Sequence, residues 1–139
     1  MNAPQYGYQP YYKPPEGIAI TTKYSVVFAT LLAASTPKIV VNGYEMPARG
    51  WGRTVFPLAP GQYHLHVHTP YFFPRQVGPA DHTVAVHPGQ VVELEYRAPL
   101  FTFVRGALGP PPQPYRGVIA VSAVLAVPVV LILVLLLLG

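Results

Sequence analysis

Three histidines at alternate positions, His64, His66 and His68, carry the clearest chemical signal in this chain (QYHLHVH, 62–68). If the segment is a strand, alternate side chains share one face, with neighbours about 7 Å apart at roughly 3.3 Å rise per residue. Imidazoles at that spacing can reach one Zn²⁺ or Ni²⁺, with His82 or His87 as a further arm. They would also titrate near neutral pH, with Glu93 or Glu95 as counter-charges. The plainer reading is a solvated polar face opposite Tyr63, Leu65 and Val67. Glu93 and Glu95 share an outward strand face and read as surface charges rather than an acid/base pair. Asp81-His82 resembles a triad fragment, yet the chain has no Gly-x-Ser-x-Gly elbow and no phosphate-binding Gly-rich loop ending in Lys-Ser or Lys-Thr. The expectation is a protein that is not an enzyme and uses no cofactor. Metal at His64, His66 and His68 is kept as the alternative.

The segments that must position these residues divide by composition. Residues 1–15 hold four Tyr and four Pro. Such a tail cannot bury a core. It is either inert or an aromatic docking strip, with Tyr11 and Tyr12 as contacts. Residues 16–104 are enough for one small domain. Gly and Pro punctuate them at strand spacing, and the chain's 18 prolines argue against long helices before the C-terminal run.

The expected strands are Tyr24–Ala34 (with helix as the minor option), Lys38–Asn42, Tyr44–Met46, Thr54–Leu58, Gln62–His68, His82–His87 and Gln90–Arg97. Asn42-Gly43 is a two-residue hairpin signal. Pro60-Gly61 and Pro88-Gly89 favour type II turns. In the last strand Val92, Leu94 and Tyr96 are expected to face inward. Residues 47–53 and 69–80 are expected to be loops. Trp51, Tyr71, Phe72 and Phe73 within them are candidates for an apolar partner contact or for caps on the core. The expected fold class is all-β, a small antiparallel β-sandwich followed by one transmembrane helix.

Residues 105–116 (RGALGPPPQPYR) read as a polyproline II tether. Residues 117–139 carry no charge, and 16 of them are Leu, Ile or Val. On an insertion scale these favour the bilayer by about 5–9 kcal/mol. Pro128 is tolerated in a membrane helix. Arg105 and Arg116 precede this run, with Tyr115 as an aromatic interface anchor. The positive-inside bias then keeps the domain cytoplasmic, at a bacterial inner membrane, in a tail-anchored arrangement with no N-terminal signal peptide. A net charge of +4 suits an anionic leaflet. The nine Lys and Arg are scattered, which excludes a nucleic-acid stripe. No cysteine is present, so disulfides and thiolate metal sites are excluded. Ser122 and Ala126 leave room for close helix association and a homo-oligomer.

The middle of the chain resembles a PEGA-type domain. The resemblance rests on Ile39-Val40-Val41-Asn42-Gly43, Val55-Phe56-Pro57-Leu58, Pro60-Gly61-Gln62-Tyr63-His64-Leu65-His66-Val67, and Thr83-Val84-Ala85-Val86 with Pro88-Gly89-Gln90. It covers residues 38–97 and departs from the pattern at 47–53 and at the Pro70 and Pro74 bracket. It implies a small β-sandwich, generally non-catalytic and used at cell envelopes. The expected function is an accessory or scaffolding subunit that docks a protein partner at the inner membrane surface. The alternative is a metal-binding or pH-sensing envelope protein that uses the histidine face.

Overall fold

The computed structural model describes residues 16–26, 32–47, 50–71 and 74–139. Eight strands precede one helix: β1 (Gly17–Lys23), β2 (Lys38–Val41), β3 (Tyr44–Glu45), β4 (Gly52–Pro57), β5 (Gly61–Pro70), β6 (Gln76–Val86), β7 (Val91–Arg97), β8 (Ala107–Gly109) and α1 (Val118–Leu138). They form two four-stranded sheets, in the orders β4-β1-β7-β8 and β3-β2-β5-β6. Ile18, Ile20, Phe56, Leu94 and Tyr96 from the first sheet join Ile39, Val41, Leu65, Val67 and Val77 from the second in one hydrophobic core, a sandwich-like arrangement.

Local rules account for much of this. Asn42 and Gly43 both take positive φ, 49° and 84°, as the β2–β3 hairpin requires. Strict alternation in β5 buries Leu65, Val67 and Thr69 and leaves His64 exposed, with His66 and His68 half-buried. In β7 Leu94 and Tyr96 are buried as expected.

Several expectations are corrected. The sheets are not purely antiparallel. β1 and β7 pair in parallel, from Gly17 opposite Val91 to Lys23 opposite Arg97. A parallel pair needs a long crossover, and here β2 to β6 lie between the two strands, the whole second sheet together with β4. β1 was not among the expected strands, because its apolar run is weaker than the one that follows. It is nonetheless central to its sheet, with Ile18, Ala19 and Ile20 all fully buried.

The expected strand Tyr24–Ala34 is not seen at either end. Lys23 is the last strand residue, Val26 is 89% exposed, and Leu32 is helical, in line with the minor helix option, before a turn at Ala33 and Ala34; residues 27–31 lie outside the described residues. Leu32 is buried and joins the core. The expected 69–80 loop is shorter. β5 continues to Pro70 and β6 starts at Gln76, with a register shift between Val67 and Thr69. The bulge is what lets proline sit in this ladder.

Part of the expected tether is a strand. β8 pairs antiparallel with β7, placing Gly109 opposite Glu95 and Ala107 opposite Arg97. The Gly106 N–H donates to the Pro79 carbonyl, so the same segment reaches the second sheet. α1 follows Gly117, and none of its residues is buried.

Candidate functional site

Two polar constellations lie on this frame. The first is the outer face of β5 and β6. Their register sets His66 opposite Asp81 and His64 opposite Thr83. Directly paired residues share a face, so one carboxylate lies among the histidines. Asp81 Oδ1 is 2.9 Å from His66 Nδ1 and 3.1 Å from His64 Nε2. His66 Nε2 is 3.1 Å from His68 Nδ1, and His64 Nδ1 is 3.3 Å from Thr83 Oγ1. An ionised carboxylate only accepts. His66 Nδ1 and His64 Nε2 therefore carry the protons and donate to Asp81. In neutral rings the remaining nitrogens accept, from His68 Nδ1–H and from the Thr83 hydroxyl.

Arg105 Nη2 donates to Asp81 Oδ2 at 2.9 Å. Burial alone would raise the Asp81 carboxyl. The hydrogen bonds from His66, His64 and Arg105 outweigh it and hold the group below the usual carboxylate range. Burial is also the main effect on His68, aided by the positive fields of His66 and Lys38 against Glu45, and it pushes the imidazole below its ordinary value.

The sign of this shift makes a prediction. A histidine whose folded pKa is depressed stabilises the fold above its unfolded pKa, near 6.5, and loses that contribution as pH falls through the folded value. The melting temperature of the full chain in detergent is expected to drop between pH 7.5 and pH 5. His68→Gln is expected to flatten the drop. Identical pH slopes for the two proteins would count against the assignment.

Sequence reasoning grouped the histidines correctly on one face and missed Asp81 as their hub. It also offered His82 and His87 as extra arms. His82 lies opposite the buried Leu65, so it projects on the core side of the sheet, and His87 lies beyond the end of β6. Among the described residues no three His, Cys, Asp or Glu side chains are placed to hold a metal ion.

The second constellation is a clamp around Glu95. Its side chain was expected in solvent but is only 4% exposed. Lys23 Nζ lies 2.8 Å away, Arg97 Nε 3.0 Å, and the Gln113 backbone N–H donates at 2.6 Å. Burial raises the Glu95 carboxyl, and these three partners more than offset it, leaving the group below the usual range. Arg97 also lies over the Tyr115 ring at 4.6 Å, and the Tyr115 hydroxyl donates to the Tyr24 carbonyl at 3.3 Å. Glu93 pairs instead with Arg53, at 2.6 Å on the exposed surface. The clamp joins β1, β7 and residues 113–115, far apart in sequence, and no local pattern announces it.

The remaining candidates divide. Trp51 Nε1–H donates to the carbonyls of Leu32 and Ser35, at 2.9 and 2.7 Å, and its ring meets Tyr24 edge-on. It caps the core. Tyr71 packs against the core as well. Phe72, Phe73, Tyr11 and Tyr12 lie outside the described residues. Of the expected membrane-interface residues, Arg105 is engaged with Asp81 and Tyr115 with Tyr24 and Arg97. Arg116 is exposed and pairs with no acidic group among the described residues. No known protein-family model and no curated protein matches the sequence.

Proposed function

We propose that this chain is a non-catalytic, single-pass membrane protein whose β module docks a protein partner at the cytoplasmic face of a bacterial inner membrane. α1 is 21 residues long with mean hydropathy 3.2. It can cross about 30 Å of hydrocarbon at 1.5 Å per residue. Arg105 and Arg116 stand on the module side of it, which supports the orientation.

The observation that carries the reading is the attachment. Residues 105–116 are built into the module by the β8 pairing, the Glu95 clamp and the Leu100 N–H to Arg116 carbonyl bond at 2.7 Å. A module without a swinging stalk presents one surface at one height above the lipid, which suits a docking subunit. The outer face of β5 and β6, continued across β2 and β3 by Lys38, Val40 and Glu45, is the surface so presented. The PEGA-like reading is supported by the Asn42-Gly43 hairpin and by the Pro88-Gly89 turn, where Gly89 takes φ 71°, while Gly61, at φ 155°, opens β5 without the expected type II turn. Phe72, Phe73, Tyr11 and Tyr12 extend the proposed contact set.

The test is in-cell crosslinking from photoreactive residues at Glu45 and His66, which share this face, followed by detergent extraction. A discrete heavier species containing one partner is expected at both positions. Extraction of a lone, monodisperse chain with no crosslinked species would end the docking reading. Digestion of the module by protease outside intact spheroplasts would end the cytoplasmic placement. A pH-responsive surface is the second reading, favoured by the His68–His66–Asp81–His64 chain.

A further inference from the structure

The connection between β7 and β8 is unusually apolar for a surface turn. Residues 98–104 read APLFTFV, with no charged side chain. Phe103 is 62% exposed, and its ring meets Phe101 edge-on at 5.7 Å. The Val104 N–H donates to the Phe101 carbonyl at 3.1 Å, closing a tight turn with the two rings on it. The nearest basic residues on either side are already engaged, Arg97 with Glu95 and Arg105 with Asp81.

The position of this turn is fixed by backbone contacts. The Leu100 N–H binds the Arg116 carbonyl at 2.7 Å, one residue before Gly117. A Cβ built on Gly117 would lie 3.4 Å from the Phe101 nitrogen and 3.6 Å from its Cβ. Val104 shares an open cleft with Arg116, Gly117, Val118 and Ile119, the start of α1. The turn therefore lies level with the point where the helix begins. If α1 spans a bilayer, that level is the headgroup boundary. Phe and Val can bury their apolar surface at the headgroup and acyl boundary, as the apolar faces of interfacial segments do.

We propose that the 100–104 turn is a second membrane contact, with Phe103 and Val104 seated at the boundary between headgroups and acyl chains beside α1. The contact rests on the membrane-spanning reading of α1. It makes the module's attachment two-point: the helix sets depth, and the turn limits rotation about the helix axis. Arg116, exposed beside the cleft, faces the phosphate layer.

The chain has no cysteine, so single nitroxide labels can be placed on the intact protein. Labels go at F103C, at L133C within α1, and at Y44C on the exposed β3. Each protein is reconstituted at high lipid ratio in phosphatidylcholine–phosphatidylglycerol vesicles. Its relative accessibility to oxygen and to a water-soluble nickel chelate is then measured. The oxygen-to-nickel ratio at 103 is expected to be at least threefold above that at 44 and below that at 133. A ratio at 103 equal to that at 44, with 133 lipid-buried, overturns the contact and leaves the anchor intact. An aqueous label at 133 removes the anchor reading and the contact with it. Dipolar broadening at 103 would mean that a second copy of the chain covers the turn, and overturns the lipid assignment. A T102C label, at the half-buried neighbouring position, gives the same readout if F103C disturbs the fold.

Discussion

Glu95→Ala is expected to free residues 105–116 from the module and to lower its melting temperature by roughly 10–20 °C. The carboxylate is nearly fully buried and satisfies Lys23, Arg97 and the Gln113 N–H together. Removing it leaves a half-buried guanidinium and a backbone N–H without their acceptor. Loss of one member of such a buried set costs about 2–4 kcal/mol, the lower part of the range applying because Lys23 and Arg97 remain partly hydrated. In a domain this small each kcal/mol moves the melting point by about 4–8 °C. The specific signature is local. Trypsin cleavage at Arg105 and Arg116 should accelerate at temperatures where the module remains folded, because the Gln113 tie and the Arg97–Tyr115 stack go together. Glu95→Gln, which keeps an acceptor, should lie between wild type and Glu95→Ala. An unchanged melting curve with an unchanged cleavage rate would show that β8 alone holds the segment. The same carboxyl supports the fold above its unfolded pKa of about 4.5 and loses that support only as pH falls through its lower folded value.

Gly78→Ala should be more damaging still. Gly78 has φ +60°, and a Cβ there would lie 2.3 Å from Pro99 Cδ and 2.7 Å from the Tyr96 hydroxyl. That hydroxyl donates to the Gly78 carbonyl at 2.7 Å, a fully buried bond between β7 and β6. Burial also pushes the Tyr96 hydroxyl pKa upward, so it stays a donor at any physiological pH. Alanine pays about 1–2 kcal/mol for the left-handed backbone. Displacing Tyr96 or Pro99 forfeits the buried bond, about 1–3 kcal/mol more. A total of about 3–5 kcal/mol is a large part of what a small domain has. Circular dichroism of the full chain in detergent should show a transition at least 15 °C lower. Gly43→Ala is the control. Its φ is +84° but nothing lies within 4 Å of the added carbon, so only the backbone cost applies. Equal losses for the two variants would refute the packing argument.

These effects fall where local sequence rules are silent. Turn chemistry at Asn42-Gly43 and the alternation of His64 to His68 with Leu65 and Val67 were readable because each depends on neighbours within a few residues. Tyr24–Ala34 misled because its apolar strength was taken as evidence for a strand. The weaker Gly17–Lys23 takes the central place through its ladders to β4 and β7, which lie far along the chain. Pro70 and Pro74 suggested a long loop, but β5 runs to Pro70, Pro74 lies in the short connection before β6, and the irregularity after Val67 admits Pro79 to the ladder. The histidine face was legible. Its organising carboxylate was not, since pairing Asp81 with His66 depends on the register across the β5–β6 turn. The tether was misjudged for a related reason. Three consecutive prolines favour an extended chain, but three residues before them, Ala107–Gly109, found a free edge on β7.

Taken by itself, the sequence determined a mostly β module, its hairpin turns, the shared face of the three histidines and one apolar C-terminal helix. Each of these follows from backbone preference or from side-chain periodicity within a single element. Tertiary structure alone decided the parallel β1–β7 pair, the Asp81 hub, the burial of Glu95 and the level of the Phe103 turn beside α1. Those depend on which distant segments meet. That choice is made by the shared core and by the need to pair buried polar groups, a constraint on the whole chain that no short window of residues contains.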